Sequence, residues 1–249
     1  YVNGQNMTRI AFTTDLESEL IKQADLVVEA VFEDMGVKQE TFAKLEARCR
    51  PDTIFCTNSS VMSPSQISEK LQYRSRFVGT HFWNPGHLIP LVEVVKSDAT
   101  SDETASTVME VLTSVGKKPV LCKKDVPGFI ANRMQHALWR EAISIVERGI
   151  ADAKTVDDAV KYSFGLRLPQ LAPLENSDMV GTELTWNIHD YILQDLEDSH
   201  APSPLLAQMK QEGKMGFKSG EGFYTWTPEE IARTNADLNE YLIRMLYGK

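Results

Sequence analysis

His81 and Glu93 stand twelve positions apart in GTHFWNPGHLIPLVEVV (79–95), each inside a strand-like run. An imidazole changes charge near neutral pH, and a carboxylate within reach can orient it and stabilise its protonated form. The two residue types together can therefore accept and return a proton. Two plainer readings stay open on the residues alone: His81 as a hydrogen-bonded core histidine, and Glu93 on the wet face of an edge strand. Other polar side chains gather at comparable places. Glu33 follows the apolar run DLVVEAVF (25–32), Asn58-Ser59-Ser60 closes PDTIFCTNSS (51–60), and Asn132 follows Pro127-Gly128. Asn84 can also be read as only shaping the turn with Pro85. No metal site is expected, because Cys49, Cys56 and Cys122 are scattered and His87, His136, His189 and His200 form no ligand pair.

The elements that must position these groups alternate through the first half. RIAFTT (9–14) reads as a short strand, and DLESELIKQA (15–24) as a helix with Asp15 at its N-cap. Residues 25–32 form a run apolar enough for a strand buried on both faces. Residues 35–50 have helical spacing, 51–60 give a strand, and Ser63-Pro64 opens a helix. Strands follow at 76–82, 91–96 and 118–123, with a helix at 101–116 closed by Gly116. This succession predicts an α/β fold with an open, mostly parallel, doubly wound sheet. Ligands on such sheets bind beyond the carboxyl ends of the strands, where Glu33, Asn58, Ser60 and His81 fall. After about residue 124 the pattern becomes helical: 127–150, 152–164, 179–196, 203–213 and 227–246, with a Gly-rich loop at 213–226. Two domains are expected, 1–124 and 125–249.

Composition excludes several classes. The chain has 249 residues, 42% of them hydrophobic, and a net charge of −9. An acidic chain without a basic run does not suit nucleic acid or an anionic membrane surface. No apolar stretch approaches the ~20 residues of a membrane span. GFKSGEG lacks the phosphate-loop pattern and lies between helices, so it is not read as a nucleotide cradle.

The ordered set NSS (58–60), HFWNP (81–85), Glu93, DVPGFIANR (125–133) and GFKSGEGFY (216–224) resembles the short-chain L-3-hydroxyacyl-CoA dehydrogenase family, over residues 10 to 226. The resemblance implies a Rossmann-type sheet followed by an all-α domain, and NAD as cofactor. It implies an acyl-CoA substrate, a homodimer through the helical domain, and a cytoplasmic location or the mitochondrial matrix. His81 would move the proton of the substrate's 3-hydroxyl and Glu93 would orient the imidazole. Ser60 and Asn132 would complete the catalytic set near the reacting oxygen. Glu33, Lys38, Asn58, Asn84 and Lys218 match positions that touch the dinucleotide, although Lys38 also reads as a solvated helix lysine.

Two departures accompany the resemblance. The family opens with a strand, a GxGxxG turn and a helix that cradle a pyrophosphate, and no GxGxxG occurs here. By family order the chain starts near the fourth strand, about 60 residues in. The sheet is therefore expected to be incomplete, and the polypeptide alone to bind NAD poorly. Residues 136–167 also resemble the branch acting on free 3-hydroxy acids, the carnitine and gulonate dehydrogenases; Arg167 there can bind a carboxylate or merely cap a helix. A non-catalytic relative that kept the fold is the remaining alternative.

Overall fold

The computed structural model describes residues 7–248. Helix α1 (Glu19–Lys22) leads into strand β1 (Leu26–Glu29), helix α2 (Met35–Glu46), strand β2 (Ile54–Thr57) and helix α3 (Pro64–Ile67). Strands β3 (Phe77–Phe82) and β4 (Leu91–Lys96), helix α4 (Asp102–Ser114) and strand β5 (Lys118–Cys122) complete the sheet region. The five strands lie in the order β1-β2-β3-β4-β5. All neighbours are parallel except β3 and β4, which run antiparallel. The expected mostly parallel sheet is present.

Period-two alternation sends neighbouring residues of a strand to opposite faces, and both faces are covered. On one, Phe42 of α2 meets Phe55 of β2 and Phe77 of β3 edge-on, with ring centroids 6.0 and 4.8 Å away. On the other, Val108 and Leu112 of α4 pack with Cys56, Val78, Val92 and Val94. Local chemistry starts these helices. Asp34 accepts from Val37 N, Ser63 from Gln66 N ahead of Pro64, and Ser101 from Thr104 N.

Several boundaries differ from the sequence reading. Residues 10–13 join no strand, and Ile10 and Phe12 are exposed; apolar alternation makes a strand only where a ladder partner lies alongside. Asp15 does not cap α1. Its carboxylate closes a local turn onto Glu17 N, and Ser18 caps the helix instead. Strand β1 is also shorter than 25–32.

The chain beyond is helical: α5 (Ala131–Glu147), α6 (Ala153–Lys161), α7 (Phe164–Arg167), α8 (Pro173–Val180), α9 (Thr182–Ile192), α10 (Pro204–Gln211) and α11 (Pro228–Tyr247). The helix expected at 127–150 begins later, because Gly128 and Phe129 have φ of 76° and 49°. The helix expected at 179–196 is cut at Gly181, whose φ of 96° no helix tolerates. Two compact units divide between Arg133 and Met134, with the residues from Met245 onward grouped with the first.

Candidate active site

His81 and Glu93 are direct cross-strand partners in the β3–β4 ladder. Opposed residues of an antiparallel pair point to the same face, so the register alone brings the two side chains together. His81 Nδ1 lies 2.8 Å from Glu93 Oε2. Both residues are buried, Glu93 completely.

Glu93 is surrounded by donors. Trp83 Nε1 also donates to Oε2, at 3.1 Å. The amides of Ile130 and Ala131 donate to Oε1, at 2.9 and 3.0 Å. These amides lie at the start of α5, where backbone N–H groups lack partners within the helix and favour negative charge. Gly128 and Phe129, in left-handed conformations, turn the chain so that the amides face Glu93. Burial pushes the carboxyl pKa up, but the bonds from His81, Ala131, Ile130 and Trp83 override it and hold Glu93 down at about 2. An ionised carboxylate accepts only, so Nδ1 carries the proton and Nε2 is left as the reactive nitrogen. The rings of Trp83 and Phe129 flank the imidazole, each with its centroid 5.7 Å away.

Loop 58–62 lies beside this pair. Asn58 Oδ1 accepts from Phe82 N at 3.0 Å, which ties the loop to the end of β3. Ser60 is exposed, whereas Ser59 is buried and donates to Glu33 and accepts from Met62 N. Lys38 is 1% exposed and bridges Glu29 at 2.8 Å and Glu33 at 3.1 Å. Glu29 further accepts from Val31 N and from Thr57 Oγ1. Lys38 is thus not a solvated helix lysine; its ammonium fastens α2 to the end of β1. Burial raises the Glu33 carboxyl pKa, but the bonds from Ser59 and Lys38 lower it overall.

The first unit therefore holds His81, Glu93, Ser60, Asn132, Glu33, Lys38, Asn58 and Asn84. Asn132 is half-buried in the first turn of α5, one residue past the amides on Glu93, and Asn84 is exposed in the turn after β3. Lys218 is exposed in the second unit, in the loop between α10 and α11. Sequence reasoning missed Glu29, hidden inside an apolar run, and Trp83, an aromatic whose N–H gives no periodic signal. No cluster of three potential metal ligands occurs among the described residues.

Comparison with known proteins defines the class. Residues 3–126 match the NAD binding domain of 3-hydroxyacyl-CoA dehydrogenase, and residues 128–226 match its C-terminal domain. The chain is an NAD-dependent oxidoreductase, and it belongs to the 3-hydroxyacyl-CoA dehydrogenase family. It is 38% identical to a probable 3-hydroxybutyryl-CoA dehydrogenase of Deinococcus radiodurans, over 88% of this chain and 77% of that one. It is 32% identical to the 5-formyl-3-hydroxy-2-methylpyridine 4-carboxylate 5-dehydrogenase of Mesorhizobium japonicum, over 96% of this chain and 78% of that one. A crystal structure of an enzyme of that name, described as an NAD+-dependent dismutase, superposes with a TM-score of 0.90 at 32% identity, covering 96% and 78% of the two chains.

The residues at the strand ends offer polar groups of the kind that suit a dinucleotide. The Glu33 side chain is 41% exposed and ionised, fit to accept from ribose hydroxyls. Asn58 adds a neutral polar group beside the end of β3, next to His81, and Ser60 is an exposed hydroxyl two residues on.

Proposed function

We propose that the chain oxidises an L-3-hydroxyacyl-CoA to the 3-oxoacyl-CoA, or runs the reverse reaction. The observation that carries this reading is the buried 2.8 Å contact between His81 Nδ1 and an ionised Glu93, which leaves Nε2 basic. His81 Nε2 takes the proton of the substrate's 3-hydroxyl as the C3–H bond breaks and the carbonyl forms. Bound NAD supplies the acceptor for the hydride that leaves C3. Glu93 stays ionised and balances the imidazolium. Ser60 and Asn132 donate to the oxygen on which charge develops, while Glu33, Lys38, Asn58, Asn84 and Lys218 form or support the dinucleotide site. Domains 1–124 and 125–249 divide these tasks.

NADH oxidation with acetoacetyl-CoA tests the reading. Turnover by the wild type that collapses in His81→Gln supports it, and equal rates in the two proteins overturn it. A second reading is favoured by the superposition at TM-score 0.90 on a pyridine-carboxylate dehydrogenase. On that reading the substrate is a free carboxylic acid, such as a 3-hydroxy acid, with Arg167 binding its carboxylate. Turnover of a free 3-oxo acid without turnover of acetoacetyl-CoA selects this alternative. A non-catalytic role fits poorly with four donors gathered on one buried carboxylate.

We further infer a cytoplasmic homodimer formed through the helical domain. Leu174, Trp186 and Tyr191 there are 82%, 66% and 87% exposed, large apolar side chains that a second copy would cover.

A further inference from the structure

Glu93 Oε2 serves two donors at once. His81 Nδ1 approaches to 2.8 Å and Trp83 Nε1 to 3.1 Å, while the Ile130 and Ala131 amides fill Oε1. An ionised carboxylate offers about four acceptor positions, so four donors leave no vacant position for a proton. The indole donor differs from the imidazole in kind. It has no acceptor, never charges in the working pH range, and cannot exchange roles with its partner. It therefore draws electron density from Oε2 without carrying away a proton.

We infer that Trp83 is a positioning residue for the His81–Glu93 pair: its indole N–H shares Oε2, fixes the carboxylate and lowers the proton affinity of the dyad. The reasoning is electrostatic. A carboxylate relieved of one donor concentrates more charge on Oε2 and holds the protonated imidazole more tightly. The inference deepens the proposed proton transfer and rests on it. In the oxidation direction the imidazole must be neutral, so removal of the indole N–H moves the acid limb of the rate profile to higher pH.

Other charged groups around the dyad make no competing bond to it among the described residues. From β5, the Cys122 thiol is turned to Lys124 O and is pushed up first by burial, then by the charges of Glu93 and Asp125; Lys118 is exposed. From the turn after β3, His87 is exposed. Lys117 donates to the Gly86 and Ile89 carbonyls. From the segment leading into α5, Lys123 and Lys124 are exposed, Asp125 accepts from Ser63 and Ser65, and Arg133 donates to Pro127 O. Helix α3, on the His81 face, carries no charged residue.

The test replaces Trp83 in two ways, Trp83→Phe and substitution by β-(3-benzothienyl)alanine, which keeps the bicyclic shape and removes only the N–H. The ring C–H resonances of His81, assigned by their loss in His81→Gln, are followed by NMR through a pH titration of the full chain. The dyad's midpoint is expected to rise by about half a pH unit in both proteins, a roughly threefold gain in proton affinity. An unchanged or lower midpoint in the benzothienyl protein overturns the inference. In the wild type, the Trp83 indole N–H resonance should follow the same midpoint, and an indole signal blind to that titration also overturns it. A structural role alone would move neither. Because the titration needs no substrate, absence of dehydrogenase activity would defeat the functional reading while leaving this one to be judged separately.

Discussion

On the proposed mechanism a single proton decides the role of His81, and substitution tests it. His81→Gln keeps a polar side chain of similar reach but cannot take a proton at neutral pH. The kcat is expected to fall about 10²–10⁴-fold with a much smaller change in KM, measured by steady-state NADH absorbance. Glu93→Gln removes the charge and sets an amide against two N–H donors, so activity should fall in the same range. That variant has a second signature, in acid stability. The Glu93 carboxyl is held at about 2 in the fold against an ordinary value of 4.5. A lowered folded pKa gives stability that is complete above 4.5 and lost as pH falls through to about 2. The wild type should exceed Glu93→Gln by about 3 kcal/mol at neutral pH in urea unfolding, and the gap should narrow through that acid window. His81 and Glu93 were legible in the sequence because both residue types carry recognisable chemistry at strand positions. Trp83 was not, since only coordinates reveal where an indole N–H points. Lys38 was not legible as a buried group: it reads as a solvated helix lysine, because the carboxylates that bury it lie in segments whose approach the sequence does not print.

Between residues and molecule stand the elements that aim them, and α5 is the most consequential. Its first amides hold Glu93 because the chain passes through Gly128 at φ 76° with Cβ space already tight: an added Cβ would sit 3.3 Å from Arg133 Cγ. Gly128→Ala is therefore expected to cost about 1–2 kcal/mol and to lower kcat together with stability. Helix α2 offers a sharper contrast. Lys38→Met strands two carboxylates, one of them fully buried, and should cost about 3–5 kcal/mol in denaturant unfolding. Lys44→Met, on an exposed position of the same helix, should stay within about 0.5 kcal/mol. The helix that opens at Ser63-Pro64 was readable because capping is local chemistry. The break at Gly181 was not, because an isolated glycine is compatible with a helix until its backbone angle is known. The strand expected at 9–14 failed for the opposite reason, as a strand depends on a neighbour that its own residues do not specify.

At the scale of the whole molecule, the sequence order of the elements carried the doubly wound arrangement, since alternating strands and helices admit few other layers. Burial of both faces, with Phe42, Phe55 and Phe77 on one and Val108 and Leu112 on the other, follows from that order. Assembly is a separate question, settled by mass. Light scattering on the purified 28.0 kDa chain is expected to return twice that value, and a monomer at micromolar concentration would remove the proposed dimer.

The pairing of His81 with Glu93 across β3 and β4 has a consequence for how this scaffold could diversify. Their distance is written into the ladder register and not into the connection that joins the strands. Residues 84–90 are instead pinned separately, with Leu88 and Ile89 amides on Pro85 O and Lys117 on the Gly86 and Ile89 carbonyls. Beyond Trp83 and Asn84, that connection is expected to work as an exchangeable cassette. Its length and side chains can be varied in a library, reshaping what reaches the imidazole, while the proton-handling pair keeps its spacing.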